Sequence, residues 1–518
     1  MVVEPLSRRD VLKQGAAGAA VLGVGPVFIA ARRRRLPLLG GTFSLGVASG
    51  VPVRNGATLW TRVDGLERAG RVELEIAADP DFRRVLHRER RAVEARNDFT
   101  VKRTIRSDRL RPGQQYFYRF ETRDGSSPVG RFRTALPADS AEPVRIGFFS
   151  CQKWHQGYYT AHGGLAAEDD LDLVVSLGDY IYEEPMGAKV KVPERQDTTG
   201  ATGDGDVQTL AEYRDKYRLY KSDPHLLAMH AAHPVHAIWD DHEAEDDYAG
   251  ENEGDPLRPR RVPFLERRGA GYRAFFEYLP VPRFRRDPLR TYGRLRLGSV
   301  DLLRIDTRQY RDPLACPPLQ PCPGGNAPGR SILGDTQRAW LKGELERSTA
   351  AWKVIANQVM MMSLDVGTPG VPINADQWDG YASERRELLE HVRAKGVKDV
   401  TVITGDIHTF FAGTVHTSGR ITSPAAATEF VGGSITSTGI QESLGSGDPR
   451  ATEAGLRANN PHLSYVDVER KGYGVLEASA AELKVTFRAP RSVLEPTSQV
   501  DDLASFRVAR GSTAVETR

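Results

Sequence analysis

Apolar and polar residues follow two different patterns in the two parts of this chain. Residues 42–136 contain short runs in which the two kinds alternate, as at 57–63 and 115–121, with turn pairs such as Pro112-Gly113 between them. Alternation with a period of two puts every second side chain on one face of a strand. This part is therefore predicted to be an all-β domain, a sandwich of the immunoglobulin or fibronectin type.

Beyond a Pro-containing linker, residues 137–143, continuous apolar runs alternate with helical stretches and polar loops. Apolar residues at helical spacing predict helices at 209–220 and 335–345, the second with Asp335 as its N-cap. Four apolar runs predict strands, at 144–150, 171–177, 235–239 and 398–404. The run at 171–177 is the one expected to be covered on both faces. The alternation of strands and helices predicts an α/β domain over residues 144–510.

Each of these four strands is followed by side chains that can bind a metal ion. They are Cys151 after the first strand, Asp179 and Tyr182 after the second, the acidic run 240–247 after the third, and Asp406 and His408 after the fourth. Asp406 and His408 would point to the same side of an extended segment. Since ligands of open α/β sheets bind beyond the carboxyl ends of the strands, these four ends predict one metal centre.

The donor types narrow the choice of metal and reaction. Thiolate, phenolate and carboxylate ligands suit a trivalent ion such as ferric iron beside a hard divalent ion such as calcium, although donor types alone do not exclude other metals. Carboxylate-rich loops disfavour an all-zinc cage. Two neighbouring cations can bind a phosphate ester and supply a hydroxide nucleophile, so phosphoryl transfer is the favoured reaction class. The sequence has no Walker-type phosphate loop and no Gly-x-Ser-x-Gly motif.

Single residues in this set have plainer interpretations. Asp179 could cap a helix with Tyr182 packed beside it. Cys151 could be a buried apolar thiol. His242 is expected to hold its loop rather than bind a metal directly. His462 could be a residue of a surface loop. The convergence of several strand ends, not any one motif, carries the metal-centre prediction.

Length and charge set wider limits. A chain of 518 residues predicts two or three domains. Seven of the first 35 residues are basic and two are acidic, so this segment has a net charge of +5. Since the whole chain has a net charge of +3, the remaining residues have a net charge of −2. That balance predicts no nucleic-acid-binding face.

The N-terminus resembles a targeting segment. Ser7-Arg8-Arg9 opens a twin-arginine pattern, and a stretch of small and apolar residues follows at 16–31. Residues 1–35 are therefore predicted to be a signal segment read by the twin-arginine export machinery, which would make the protein secreted, periplasmic or bound at the cell surface. The apolar stretch is too weak for a membrane anchor, and an uncleaved amphipathic tail is the alternative.

The three cysteines divide into a pair and a single residue. Cys316 and Cys322 lie in one Pro-rich loop and could form a disulfide in an exported protein. Cys151 is left over, and a lone thiol in an oxidising compartment is a liability unless it is buried or bound.

Several motifs together resemble the alkaline phosphatase D (PhoD-like) family of metallophosphoesterases. They are Phe149-Ser-Cys151, Gly178-Asp-Tyr-Ile-Tyr182, Trp239-Asp-Asp-His-Glu243, Asn357-Gln-Val-Met360, Trp378-Asp-Gly-Tyr381, Gly405-Asp-Ile-His408 and Asn460-Pro-His462. The resemblance implies a two-sheet, calcineurin-like αββα sandwich preceded by the small β-domain.

The resemblance also implies roles for individual residues. Ferric iron would be held by Cys151, Asp179, Tyr182 and His408, and Asp179 would bridge to a calcium ion that Asp406 also holds. By motif position, Asp247 would be a ligand where the family usually has Asn. Asp179, Asp240 and His242 are the catalytic candidates. Asp376 and Asp379 are weak candidates for a third metal, and a loop-capping role is favoured for both.

The expected activity is hydrolysis of phosphate esters, as an alkaline phosphatase or phosphodiesterase, by a metal-held hydroxide or oxide. One alternative is a phospholipase of the D type acting on lipid head groups, which would need an apolar rim on the cleft. The other is a non-catalytic exported protein that binds the cell surface and keeps the metal centre for structure alone. Membrane lipid enters these predictions only as a possible substrate.

Overall fold

The computed structural model of the chain describes residue 38 and residues 40–187, 190–254, 257–368 and 370–518. The predicted signal segment, residues 1–35, lies outside them. Among the described helices, none is long and apolar enough to cross a membrane.

Residues 47–133, all of them described, form two antiparallel sheets with one shared core. The strands are β1 (Val47–Val53), β2 (Gly56–Arg62), β3 (Gly70–Ala77), β4 (Val85–Val93), β5 (Thr100–Thr104), β6 (Gln115–Glu121) and β7 (Gly130–Arg133). One sheet has the order β1-β2-β5 and the other β4-β3-β6-β7. Val72, Leu74 and Ile76 of β3 point into the core, as alternation requires. The immunoglobulin or fibronectin type of this region stays a prediction.

The described part of the chain from residue 144 onward forms two larger mixed sheets. Their strands are β8 (Val144–Phe149), β9 (Leu173–Ser176), β10 (Val235–Ala237), β11 (Gly293–Leu297), β12 (Val300–Arg304), β13 (Trp352–Ala356), β14 (Val400–Thr404), β15 (Phe410–His416), β16 (Ala425–Gly432), β17 (Leu463–Asp467), β18 (Tyr473–Ala478), β19 (Glu482–Pro490), β20 (Val500–Ala509) and β21 (Glu516–Thr517). The first sheet has the order β10-β9-β8-β18-β19-β20-β21, and the second has the order β11-β12-β13-β14-β16-β15-β17.

Helices cover the outer faces of these sheets. They are α1 (Thr160–Ala167), α2 (Leu210–Tyr220), α3 (Pro224–Ala232), α4 (Phe264–Tyr278), α5 (Gly334–Arg347), α6 (Ala382–Ala394), α7 (Ile440–Leu444) and α8 (Pro449–Asn459). One apolar core lies between the two sheets, and a further core lies on the helix side of each. The predicted N-cap at Asp335 is wrong, because α5 begins one residue earlier and Asp335 lies in its first turn.

Both large sheets contain a parallel stretch, and this arrangement brings distant loops together. β8, β9 and β10 run parallel to one another, and so do β12, β13 and β14. Their apolar residues are buried on both faces, as the continuous apolar runs predict. The loops that follow these strands carry most of the candidate ligands.

The small sheets pack directly on the rest of the chain. The Trp60 indole N–H donates to the Glu277 carbonyl over 2.7 Å, and the Lys102 ammonium donates to the carbonyls of Leu279 and Val281 at the end of α4. Residues 38–518 form one compact unit. The domain limits 42–136 and 144–510 therefore stay a proposal.

Candidate metal centre

Four side chains from three loops meet beyond the carboxyl ends of β8, β9 and β14. One ligand atom each from Cys151, Asp179 and His408 lies within 4.8 Å of the others. The Tyr182 hydroxyl lies 3.0 Å from Asp179 Oδ2 and 3.1 Å from His408 Nε2. The structure thus brings together the four residues that the sequence proposes for iron.

A second group of carboxylates lies beside the first. Asp240, Asp241 and Asp406 form one set with ligand atoms within 4.8 Å, and Asp241 and His242 form another with Asp179. Asp247 groups instead with Asp241 and the partly exposed Asp246. Asp241 belongs to all three sets, although the sequence placed it only within the acidic run 240–247 and did not single it out. Its position in the loop after β10, next to Asp240, was the signal that could have identified it.

The backbone is in a rare conformation at these residues. Positive φ angles occur at Cys151 (60°), Asp179 (54°), Asp247 (54°), Asp406 (68°) and His408 (57°). These are five of the eleven non-glycine residues with positive φ among those the structure describes, and such strain concentrates at functional sites. The predicted extended segment at 406–408 is wrong: left-handed turns, not strand alternation, aim both side chains.

Buried hydrogen bonds join the loops to one another. The Glu243 carboxylate accepts from the backbone N–H groups of Asp179 (3.1 Å), Tyr180 (2.6 Å) and Asp240 (2.7 Å). Gly178 permits this close approach, because a Cβ there would lie 2.4 Å from Asp240 Cβ. One carboxylate therefore fixes the β9 loop against the β10 loop.

His242 is held at the wall of the centre. Its Nδ1 lies 2.8 Å from Glu183 Oε2, and its ring lies 4.1 Å from the Tyr182 ring, centroid to centroid. Burial alone would lower the pKa of His242, but the charges of Asp179, Asp241 and Glu183 raise it well above the usual value. This geometry agrees with a residue that fixes the loop, as the sequence favours.

The pKa shifts of the side chains in the first group are those expected of ligands that bind a cation. Burial, with the charges of Asp179 and Asp406, raises the pKa of the Cys151 thiol, and burial raises the pKa of Tyr182 as well. Burial lowers the pKa of His408 to about 3, so its imidazole is neutral. Thiolate and phenolate need a compensating positive charge in such a site.

Two buried carboxylate oxygens without hydrogen-bond partners also indicate a bound cation. Asp179 Oδ1 and Asp240 Oδ2 have no hydrogen-bond partner in the described chain. Burial and the neighbouring carboxylates raise the pKa of Asp179 and of Asp406 well above the usual value. Since uncompensated buried carboxylates are costly, cations bound between them would satisfy these atoms. The donor set therefore fits the metals that the family resemblance implies.

Arg308 is a residue of the site that the sequence analysis missed. Its buried guanidinium makes paired hydrogen bonds to Asp376 (2.8 and 2.6 Å), contacts Asp240, and lies 3.4 Å from Asp241 and 3.8 Å from Asp406. Arg308 follows the carboxyl end of β12, so the strand-end rule could have identified it.

The weak candidates for a third metal are engaged elsewhere. Asp376 binds the guanidinium groups of Arg308 and Arg311. Asp379 binds Arg385 at 2.7 Å and accepts from the Leu364 N–H at 3.0 Å, in agreement with the favoured loop-capping role.

Two further predictions concern residues outside the cluster. The surface position proposed for His462 is wrong, because its ring is buried and its Nε2 lies 2.8 Å from the Ser363 carbonyl. Cys316 and Cys322 form a disulfide with a Cα–Cα distance of 5.5 Å. The pairing of the loop cysteines, which the sequence allowed, is present.

Comparisons with known proteins agree with the geometry. A family model described as PhoD-like phosphatase matches residues 146–487, and a model of the PhoD-like phosphatase N-terminal domain matches residues 31–136. Alkaline phosphatase D of Bacillus subtilis (strain 168) is 35% identical, over 91% of this chain and 82% of that protein.

Solved structures also include a PhoD protein among the similar folds. A structure of PhoD superposes with a TM-score of 0.80 and 31% identity, covering 92% of each chain. A purple acid phosphatase, PPD1 from yellow lupin (Lupinus luteus) seeds, has a TM-score of 0.56 at 12% identity, covering 91% of this chain and 75% of that one. The second likeness concerns the fold alone.

Proposed function

Because the chain belongs to the PhoD-like phosphatase family and is a phosphoesterase of the alkaline phosphatase type, we propose that it is an exported, metal-dependent hydrolase of phosphate esters. The observation that carries the proposal is the meeting of two groups of metal-type ligands, with unpartnered carboxylate oxygens, beside an open cavity. The likeness to the purple acid phosphatase supports the calcineurin-like αββα assignment of the two large sheets.

The proposed metals follow from the donor types. Cys151, Asp179, Tyr182 and His408 would hold ferric iron, since thiolate and phenolate ligands suit a trivalent ion. Asp179 and Asp406, with Asp240 and Asp241 close by, would hold calcium, which prefers carboxylate oxygens. When bound, such a pair of cations activates water and neutralises the charge of the phosphate.

The remaining residues orient the site. Glu183 engages Nδ1 of His242, so Nε2, which lies 3.6 Å from Asp246 Oδ1, is the ring nitrogen that would contact the phosphate or the leaving oxygen of an ester. Asp240 contacts Arg308, which favours a role in holding a cation over a role in proton transfer. Asp247 is proposed only for a cation at the outer edge of the cluster, because it groups with Asp241 and Asp246 alone.

Export by the twin-arginine route is part of the proposal. The supporting pattern is Ser7-Arg8-Arg9 with the apolar stretch at 16–31. The Cys316–Cys322 disulfide supports an oxidising compartment, where such bonds persist.

Metal content and visible absorption of the exported protein test the site. We expect iron and calcium together, with a broad tyrosinate-to-iron band that Tyr182→Phe removes and that Tyr292→Phe, a matched change away from the centre, preserves. A colourless protein without iron would overturn the iron assignment. Bound iron without turnover of any phosphate monoester or diester would instead favour the non-catalytic binding protein.

A further inference from the structure

Lys153 is a charged residue beside the metal centre, and the proposed function gives it no role. It lies two residues after Cys151, in the loop that follows β8. Its ammonium nitrogen lies 5.0 Å from the centroid of the Tyr182 ring, which is within the range of a cation–π contact. Lys153 is not among the residues that line the cavity beside the centre. Its charge is therefore placed to act on a proposed ligand rather than on a substrate.

The loop that follows β16 fixes the backbone of Lys153. The Thr436 hydroxyl donates to the Lys153 carbonyl over 2.8 Å, and the Lys153 N–H donates to the Ser437 hydroxyl over 3.3 Å. At the other end of the residue, the ammonium group pairs with Glu184, and only 13% of the side chain is exposed. Because both ends of Lys153 are held, its ammonium group stays over the ring instead of turning into solvent.

Ser437 links the same loop to the phenolic oxygen of Tyr182. Its Oγ lies 2.8 Å from the Tyr182 hydroxyl oxygen and 2.9 Å from the Cys151 carbonyl oxygen. A serine hydroxyl has one hydrogen to donate, and an anionic phenolate is a stronger acceptor than a neutral carbonyl. When Tyr182 is a phenolate, we therefore expect the Ser437 hydroxyl to donate to it.

A positive charge at this position offsets part of a concentrated negative charge. Burial raises the pKa of Tyr182 well above its usual value, the charges of Asp179 and Cys151 raise it further, and the hydrogen bond with Ser437 opposes them. An ammonium group over the ring favours the phenolate in the same sense as Ser437 does. Burial lowers the pKa of His408 to about 3, and the charge of Lys153 adds to that lowering. The field of Lys153 thus extends to a second proposed iron ligand.

We propose that Lys153 and Ser437 are positioning residues that hold Tyr182 as a phenolate and weaken its donation of electrons to iron. This inference rests on the proposed function, in which Tyr182 is an iron ligand. A cation over the ring stabilises the π electrons of the phenolate, and a hydrogen bond to its oxygen has the same effect. Electrons held more tightly by the ligand leave more positive charge on the iron, which is the charge that an anionic phosphate ester meets.

The energy of the tyrosinate-to-iron absorption band tests the proposal, because this transition moves an electron from the Tyr182 ring to the iron. Lys153→Met removes the charge and nearly keeps the length of the side chain, so the ring electrons should be held less tightly. We expect the band to move to longer wavelength by about 10–20 nm, the shift that a cation–π interaction of ordinary strength gives. The midpoint potential of the iron should become more negative. Lys153→Arg keeps the charge and should return both values to near those of the wild type.

A second variant and a matched control complete the test. Ser437→Ala should also move the band to longer wavelength, because the phenolate loses its hydrogen-bond donor. The control is Lys342→Met. Lys342 pairs with Glu387 between α5 and α6, and its side chain is 19% exposed, close to the 13% of Lys153. The band and the potential of Lys342→Met should equal those of the wild type.

The possible failures are distinguishable. An unchanged band in both Lys153→Met and Ser437→Ala would overturn this inference and leave the iron assignment intact. A shift in Lys153→Met that Lys153→Arg also shows would assign the effect to packing rather than charge, and would overturn the role of the ammonium group. Loss of iron from Lys153→Met but not from Lys153→Arg would support the proposal, because the phenolate would then depend on the charge. A wild-type protein without the band would overturn the iron assignment itself, and this inference with it.

Discussion

The metal centre and a neighbouring set of ion pairs, which it contacts through His242 and Glu183, both contain buried carboxylates, yet they differ in how the negative charge is balanced. We call the second region the ion network; its members are Glu183, Asp206, Glu245, Arg258, Arg260 and Arg267. Arg258 lies 2.6 Å from Glu183, and Arg267 lies 2.5 Å from Glu245. Every carboxylate of the network has a guanidinium partner.

The pKa shifts of two neighbouring residues show the consequence. Burial alone would raise the pKa of Glu183, but Arg258, His242 and Arg267 bring it well below the usual value. Asp179, four residues earlier, has its pKa raised by burial and by neighbouring carboxylates, although His242 opposes this. Although both carboxylates are buried, Glu183 is compensated by its ion pairs, whereas Asp179 would need a bound cation to compensate its charge.

A third acidic group has close carboxylates that are paired with arginines. Glu73, Glu75 and Glu121 of the small sheets have oxygens within 4.8 Å of one another. Arg119 lies 2.8 Å from Glu75 and 2.9 Å from Glu121, and Arg90 lies 2.8 Å from Glu73. These carboxylates are compensated in the way the ion network is.

The largest expected effect comes from removing an uncompensated carboxylate. Asp179→Asn should reduce bound metal and lower phosphoesterase kcat/KM by more than about a hundredfold, because loss of a ligand exceeds the effect of losing a group that only supports one. Glu75→Gln is the control and should keep the wild-type metal content. Elemental analysis and ester hydrolysis measure both, and unchanged metal content in Asp179→Asn would refute the assignment.

Substitution of one arginine in each region should change the free energy of unfolding differently when calcium is present. Arg267→Met should lower the free energy of unfolding by about 3–5 kcal/mol with or without metal, because Glu245 and Glu183 lose a buried partner. Arg308→Met should cost a similar amount after metal removal, but calcium should restore part of it by supplying positive charge to Asp240 and Asp241. Urea unfolding with chelator and with calcium measures this, and an equal calcium response of both variants would contradict it.

A paired acid should give stability that depends on pH in one direction. Partial burial would raise the pKa of Glu212, but hydrogen bonds from Arg261 and from the Gln208 and Thr209 N–H groups lower it to about 2. A lowered pKa adds stability above the ordinary value of 4.5, and that stability is lost as pH falls toward 2. Glu212→Gln should cost about 1 kcal/mol at pH 7 and progressively less below pH 4.5 in chemical unfolding.

An unpaired buried acid should give the opposite dependence. Burial raises the pKa of Glu429 to about 7, although it accepts from Thr404 and from the Met361 and Met362 N–H groups. Its stabilising contribution is present below 4.5 and is lost as pH rises through 7. Glu429→Gln, which cannot ionise, should therefore gain about 1–2 kcal/mol relative to wild type between pH 5 and 8. If the change in unfolding free energy followed pH in the same direction for Glu212→Gln and Glu429→Gln, the proposed difference between paired and unpaired acids would be wrong.

Most of the residues that meet at the site could be predicted from the sequence, and the two that were not singled out share one cause. Cys151, Asp179 and His408 were predicted because each directly follows an apolar strand, which is a local signal. Asp241 and Arg308 also follow strands, but only the contacts between the loops after β10, β12 and β14 distinguish them from the other polar residues of those loops. Arg308 is 67 residues from Asp241 in the chain, and no local pattern connects them.

The sequence by itself determined which donor atoms follow which strands, and so it determined the chemistry that the site can offer. The tertiary structure alone decided which acids are compensated and which side chains share a cavity. Electrostatic energies depend on distance and burial, not on separation along the chain. For the same reason Glu183 and Asp179 differ although they are near neighbours. Likewise, Leu319 and Leu444 both line the cavity beside the metal centre although 125 residues separate them.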